Sequence, residues 1–268
     1  NTKTENSKAY RNICLTDSVN QIIAYSQYLE KDKKDSIPYV FLTKEILLQQ
    51  VEEQDTLHLH CDSIWIYFDT TMRAEEMYAY NHVKFYRMDM QGVADTLFYD
   101  IKDSLVYFLG RPILWNENNQ FTADTISLKV IENSVREMFM YPNVIIAQNS
   151  DTTTKQYFNQ ISGRNFKANF SKNRIKYAEI EHQVKSIFYF WEEDKKNKRL
   201  TGVNIGESSK LNLYFERGRL KKMTAIDLPK FYLDDNDRID EKEKILKGFV
   251  WLEENRPMSK QDIFIHRN

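Results

Sequence analysis

The sequence predicts an all-β protein built from about five to six repeated strand units. Apolar residues recur with period two after five similar entry points, at residues 62, 95, 124, 164 and 209. Each run is followed by a polar cluster and then by further apolar residues. The composition, with 16 Tyr and 16 Phe in 268 residues, favours strands. Period two places alternate side chains on one face, so each run reads as a strand with one buried side.

In chain order, a first and weaker unit opens at IIAYSQYL, near Ala24. The one helical pattern lies within 44 to 53, around KEILLQQ, so any helix there is short. CDSIWIYF follows, with Ile64, Ile66 and Phe68 two, four and six residues after Asp62. GVADTLFYD repeats the spacing with Leu97, Tyr99 and Ile101 after Asp95, and FTADTISLK with Ile126, Leu128 and Val130 after Asp124. GRNFKANF supplies Phe166, Ala168 and Phe170 after Arg164, and SSKLNLYF supplies Leu211, Leu213 and Phe215 after Ser209. The intervening Ser63, Thr96, Lys129, Lys167 and Asn212 are polar. Five runs with one parity mark a repeated unit whose apolar positions line a common interior.

The clusters KDS (102–104), ENS (132–134), SKN (171–173) and ERG (216–218) read as hairpin turns. With 7 Gly and 5 Pro in the chain, such turns rest on Asn, Asp, Ser and Lys. A third strand is expected in NHVKFYR (81–87), GRPILW (110–115), YPNVIIA (141–147), HQVKSIFYF (182–190) and LPKFYL (228–233). The extra length of the later units falls in EEDKKNKRL (192–200) and DDNDRIDEKEK (234–244), which read as charged surface loops.

The net charge of −1 conceals an asymmetry: residues 155 to 230 carry 17 Lys and Arg against 8 Asp and Glu. Such a basic stretch is either a solvated face or a phosphate-facing one. Two cysteines, Cys14 and Cys61, are too few for a disulfide framework or a four-cysteine zinc site. No apolar run approaches the ~20 residues that cross a bilayer as a helix.

Catalytic and metal motifs are weak. His58 and His60 share a strand face with Asp62 following in parity, but His82, His182 and His266 are scattered, so strand-end polarity explains the pair without a metal. Asp62, Asp95 and Asp124 recur at strand starts, which favours a turn or entry role over a hydrolytic carboxylate cluster. GxSxG, HExxH and phosphate-loop patterns are absent. Basic and aromatic residues interleave in FKANFSKNRIKYAEI, but Phe166 and Phe170 lie at the inward parity, so a nucleic-acid stacking platform is not expected.

The stretch GVADTLFYDIKDSLVYFLGRPILWNENNQFTADTISLKV resembles the OstA/LptA superfamily, which includes the soluble part of LptD and OstA-like proteins of Bacteroidota-type bacteria. The correspondence lies in Ala94-Asp95, Gly110-Arg111-Pro112 and Asn143-Val144; it is strongest over 55–150, weaker over 151–233, and leaves 234–268 as a C-terminal end. Cys61 stands where the pattern has Ala, and Arg164 and Ser209 where it has Asp. The resemblance implies one elongated, twisted, open β-jellyroll and a periplasmic location, possible outer-membrane association included, with a leader ahead of Asn1. It implies carriage of lipopolysaccharide towards the outer membrane, without catalysis or cofactor. The implied partners are lipopolysaccharide through lipid A, other components of such a bridge, and the chain itself by end-to-end strand pairing. A non-catalytic scaffold for outer-membrane assembly partners and a polysaccharide-acting enzyme are the alternative readings.

On this reading the acyl-chain groove is lined by Ile64, Ile66, Leu97, Ile126, Leu128, Phe166, Phe170, Leu211, Leu213 and Phe215. Met138 and Met140, on an intervening strand, add adaptable packing. Arg164, Lys167, Arg174, Lys176, Arg219 and Lys221 are the head-group candidates. The open ends are expected in the segment before Asp62 and in GFVWLEENRP (248–257).

Overall fold

The computed structural model describes residues 6–18, 21–51, 55–151, 156–194, 197–216 and 219–265, with the side chains of 193, 194, 197, 198 and 219 also outside the described set. The chain divides into two compact units, one of residues 1–114, 127–131 and 253–268, the other of 115–126 and 132–252.

Twenty strands follow in order: β1 (Ser7–Asp17), β2 (Ile22–Lys34), β3 (Ile37–Thr43), β4 (Leu47–Val51), β5 (Thr56–His60), β6 (Ser63–Phe68), β7 (Ala74–Arg87), β8 (Met90–Asp100), β9 (Leu105–Leu109) and β10 (Ile113–Asn116), then β11 (Asn119–Thr122), β12 (Thr125–Ile131), β13 (Ser134–Tyr141), β14 (Val144–Asn149), β15 (Phe158–Gly163), β16 (Asn165–Ser171), β17 (Arg174–Asp194), β18 (Asn197–Glu216), β19 (Arg219–Ile226) and β20 (Lys230–Asp234). The helical pattern of 44 to 53 is overruled: its core is β4, because Leu47–Val51 pairs with both β2 and β5 and buries Leu48. Ladder hydrogen bonds on both sides outweigh a weak local helix propensity. The expected loop at 192 to 200 is instead the end of a long hairpin, with β17 and β18 paired out to Asp194 and Asn197.

Each unit is a two-layered antiparallel sandwich. In the first, β2 splits between layers, its start pairing β4 and its end pairing β3. β4, β5, the end of β7 and the start of β8 make one layer; β3, β6, the start of β7, the end of β8 and β9 make the other. Phe85 of one layer meets Phe108 of the other at 5.4 Å. In the second unit, β11, β14, β15, the end of β17, the start of β18 and β20 form one layer. β13, β16, the start of β17, the end of β18 and β19 face it.

Strands cross between layers at corners built from left-handed residues. Pairs at Arg11-Asn12, Lys44-Glu45, Asn81-His82, Gly110-Arg111, His182-Gln183 and Asp227-Leu228, and the single Asn143, all have positive φ. Such backbone costs an L-residue roughly 1–2 kcal/mol, and it is met by recurrent hydrogen bonds. The entry residue of a unit donates its N–H to the corner carbonyls: Asp62 to Tyr80 and Asn81, Asp124 to Pro142, Arg164 to Glu181 and His182, and Ser209 to Asp227. Gly110 serves where Asp95 crowds the corner, since a Cβ at 110 would strike the Asp95 carboxylate. The repeated phrase of the sequence is therefore the seat of a corner.

The hairpins Asp35-Ser36, Glu132-Asn133 and Lys172-Asn173 place two left-handed residues in a two-residue loop, the geometry whose twist matches paired strands. At 216–218, Glu216 pairs with Arg219 across two positions that lie outside the described residues.

On the outer face of the first unit, five aromatics stand directly opposite one another: Phe41, Trp65, Tyr78, Phe98 and Tyr107. Ring centroids are 4.4 Å apart for Phe41 and Trp65 and 4.7 Å for Tyr78 and Phe98. Their mutual contact contributes to strand cohesion beyond area burial.

Beyond β20 the chain leaves the ladder. Residues 236 to 265 contain four short 3-10 turns, Asn236–Arg238, Glu241–Lys244, Glu253–Asn255 and Asp262–Phe264. The segment 248–257 is thus no edge strand: its backbone is held by side chains instead. Gln120 donates from Nε2 to the Val250 carbonyl at 2.8 Å and accepts the Leu252 N–H at 2.8 Å.

Candidate functional site

The interior of the second unit is apolar on both sides. Counting two, four and six residues from the entry at Arg164 puts Phe166, Ala168 and Phe170 inside, all buried, and the same count from Ser209 buries Leu211 and Leu213 and half-buries Phe215. Met138 and Met140 of β13 are buried beside them. Ile126, also in this unit, is buried. Within the first unit Ile64, Leu97 and Leu128 are buried and Ile66 is half-buried.

A cavity of about 60 Å³ remains between the layers of the second unit, lined by Phe121, Ile161, Phe166, Phe188, Leu213 and Phe215 among others. The structure thus brings three of the proposed groove residues, Phe166, Leu213 and Phe215, to one cavity. The other seven are not among its lining residues. Phe121 and Phe166 approach across it with ring centroids 6.2 Å apart. Phe121, Ile161 and Phe188 were not singled out in the sequence. Phe188 keeps the even parity of Phe166 and Ala178 through the register shift between Glu181 and Val184, but its neighbour Ile187 is apolar and buried too, so alternation does not mark the inward face of this strand. Phe121 precedes its entry residue, on the four-residue β11.

The head-group candidates do not form one cluster. Asn165 pairs with Glu181 and Ser171 with Arg174, so Arg164 and Arg174 lie at opposite ends of the β16–β17 ladder, about 20 Å apart at the strand rise of ~3.4 Å per residue. Lys167 pairs with Glu137 at 3.0 Å, Arg174 with Glu117 at 3.5 Å and Lys221 with Glu216 at 3.2 Å. Arg164 donates to the Tyr141 hydroxyl at 3.0 Å and lies over its ring. Lys176 is exposed, and the Arg219 side chain lies outside the described residues. Half of the six thus already face a carboxylate, which offsets their charge locally.

On the same outer face Lys210 bridges Glu179 at 2.9 Å and Glu181 at 2.7 Å. The ammonium holds Glu179 below the usual carboxylate range and is itself raised by Glu181 and Glu179. Burial raises the Cys61 thiol far above its ordinary value, leaving the sulfur a weak donor to the Ser63 carbonyl. His58 Nδ1 meets Gln49 Nε2 and His60 Nδ1 meets the Ile46 carbonyl. Among the described residues no group of three His, Cys, Asp or Glu is placed to hold a metal ion, and no helix is long and apolar enough to cross a membrane.

No family model matches the chain, and no curated protein does. Among solved structures it is similar to the crystal structure of LptH, described as the LptA-homologous periplasmic component of the lipopolysaccharide transport device of Pseudomonas aeruginosa. The identity is 13%, the TM-score 0.39, and the match covers 54% of this chain and 93% of that one.

Proposed function

We propose that this chain is a periplasmic carrier that takes the acyl chains of lipopolysaccharide between its two β layers and passes the lipid towards the outer membrane. The observation that carries this reading is the second unit's interior, where both layers turn large apolar side chains onto one cavity. Each methylene moved from water into such an interior contributes roughly 0.8 kcal/mol, so several acyl chains bind strongly without directional contacts. Transfer breaks no covalent bond and needs no catalytic group.

The cavity of about 60 Å³ is far below the ~300–1,000 Å³ typical of ligand sites. Uptake therefore requires the layers to part. Met138 and Met140, buried on β13 beside Phe166, are suited to this, because an unbranched thioether side chain has many accessible rotamers and refills irregular gaps. Arg164 and Lys176, which pair with no carboxylate among the described residues, are the head-group contacts we favour.

Gentle purification followed by lipid mass spectrometry tests the proposal. Co-purifying lipopolysaccharide, or saturable binding of added lipopolysaccharide by the delipidated protein, is expected; a protein that does neither is not a carrier.

The assembly reading has an observation of its own. Among the described residues β20 pairs with β18 alone, and its Phe231, Tyr232 and Leu233 are exposed, with Leu228 beside it. An apolar edge strand invites a further strand, so the same chain joins its neighbours in the bridge through β20.

A further inference from the structure

The layer of the second unit formed by β11, β14, β15, the end of β17, the start of β18 and β20 has two apolar faces. Phe121, Ile146, Ile161 and Phe188 look onto the cavity. Their chain neighbours Gln120, Ala147, Gln160 and Ile187 point the opposite way and line up in register across the strands. That back face is covered by residues 236 to 252. Ile239 and Leu246 of this segment are buried against Ile187, Tyr189 and Val203, with Phe249 packed alongside. Trp251 lies 4.9 Å from Phe158, centroid to centroid.

Two buried glutamines fix the segment by reading its backbone. Gln160 donates to the Lys244 carbonyl at 3.0 Å and accepts the Leu246 N–H at 2.9 Å; Gln120 does the same for Val250 and Leu252. These four bonds take the place of a ladder, so the segment crosses strands β17, β15, β14 and β11 rather than running beside them. In the first unit Gln91 plays a related part, accepting from Arg256 Nε at 2.8 Å and Nη2 at 2.6 Å.

We infer that residues 236–252 are a brace that limits how far the second unit's layers can part, and that lipid loading and release of this brace are coupled. The inference rests on the lipid reading above. A chain tied at Gln160 and Gln120, and anchored by Ile239 and Leu246, fixes the spacing and curvature of β18, β17, β15 and β11 from behind. Widening the cavity changes that curvature, so it stretches or frees the ties. By linkage the effect is reciprocal: a ligand that needs the wide form loosens the brace, and a loosened brace favours the ligand.

Hydrogen exchange of the full-length protein at the Leu246 and Leu252 amides, with and without saturating lipid A or a fluorescent palmitate analogue, reads the coupling directly. Faster exchange of both amides in the loaded protein is expected. The second arm is Q120L/Q160L, which keeps side-chain size but removes the backbone ties. It is expected to bind the palmitate analogue at least about five-fold more tightly, the low end of ordinary coupling between sites. Exchange that is unchanged or slowed by a lipid that does bind overturns the brace and leaves the carrier reading intact. So does a folded Q120L/Q160L with freed amides and unaltered affinity. Failure of both wild type and variant to bind either probe overturns the carrier reading and the brace with it. Should the variant not fold, the wild-type exchange comparison decides alone.

Discussion

Asn143 donates from Nδ2 to Asp124 Oδ2 at 2.9 Å, tying a strand entry to the corner that faces it. The same relation joins His82 to Asp62, also at 2.9 Å. Both corner residues have positive φ, 57° and 50°, a conformation an L-residue holds only when its surroundings compensate. Asp124→Ala is expected to cost about 0.5–1.5 kcal/mol, the net value of one such bond. Asn143→Val, which puts a β-branched residue in left-handed backbone, should cost more, on the order of 1–3 kcal/mol. Urea unfolding measures both; equal and negligible losses would remove the corner from the account.

Face assignment is tested by pairing an inward with an outward change. Phe170→Ala removes a buried ring and is expected to cost about 3–5 kcal/mol, whereas Lys176→Ala on the exposed side should stay within about 0.5 kcal/mol. Asn212 is a poor outward control, because its Oδ1 is buried with no hydrogen-bond partner among the described residues. Thermal and urea unfolding giving similar losses at 170 and 176 would contradict the assignment.

Glu179 predicts a pH dependence. Its carboxyl is held below the usual range chiefly by the hydrogen bond from Lys210, against an opposing push from burial, with help from the Tyr177 hydroxyl. A depressed folded-state pKa contributes stability above the unfolded value of about 4.3, and that stability is lost as pH falls through the lower folded value. The pair is partly exposed, so the effect should not exceed about 1 kcal/mol. Unfolding curves between neutral pH and acid should show it in the wild type and show it reduced in Lys210→Met. A Lys210→Met protein with an unchanged acid limb would assign the loss to other carboxylates.

Charge at the rim should matter to lipid and not to fold. Arg164→Glu with Lys176→Glu is expected to weaken lipopolysaccharide binding several-fold at low salt. The difference should shrink towards 1 M salt, where the Debye length falls to about 3 Å. Lys167→Glu and Arg174→Glu should do less to the lipid and more to local pairing, since each already faces a carboxylate. Identical affinity for wild type and the Arg164/Lys176 variant at low salt would assign the basic stretch to solvation.

Association is expected through β20 rather than through 248–257. Leu228 is 84% and Leu233 63% exposed, so Leu228→Lys with Leu233→Lys should leave stability unchanged while abolishing concentration-dependent association in light scattering. Pro at Val250 should act differently: that residue is in no strand, and its carbonyl is held by Gln120, so the change disturbs the C-terminal segment and not an edge. A wild type that is monomeric at every concentration would refute association through this edge.

The alternation after Asp62, Asp95, Asp124, Arg164 and Ser209 made the repeated unit, the inward parity and the hairpin turns legible, because each is set within one or two strands by side-chain period and turn chemistry. Legibility stopped where both faces are apolar. Phe188 keeps the parity of Ala178 and lines the cavity, but Ile187 beside it is apolar and buried on the other face, so the local pattern does not say which of the two looks inward. Phe41, Trp65, Tyr78, Phe98 and Tyr107 are scattered through the sequence, and only strand register stacks them into one outer row. The helical spacing of 44 to 53 was answered by ladder partners on either side.

The C-terminal segment shows the division most clearly. Its alternating Phe249, Val250, Trp251 and Leu252 read locally as an edge strand, yet Gln120 and Gln160, 84 to 132 residues away in sequence, supply the donors and acceptors a neighbouring strand would have given. Sequence by itself determined which side of the five entry strands is apolar, because apolar and polar residues alternate there. Tertiary structure decided what lies against each face and which cations stand beside carboxylates, because those depend on contacts between residues far apart in the chain, which no local pattern encodes.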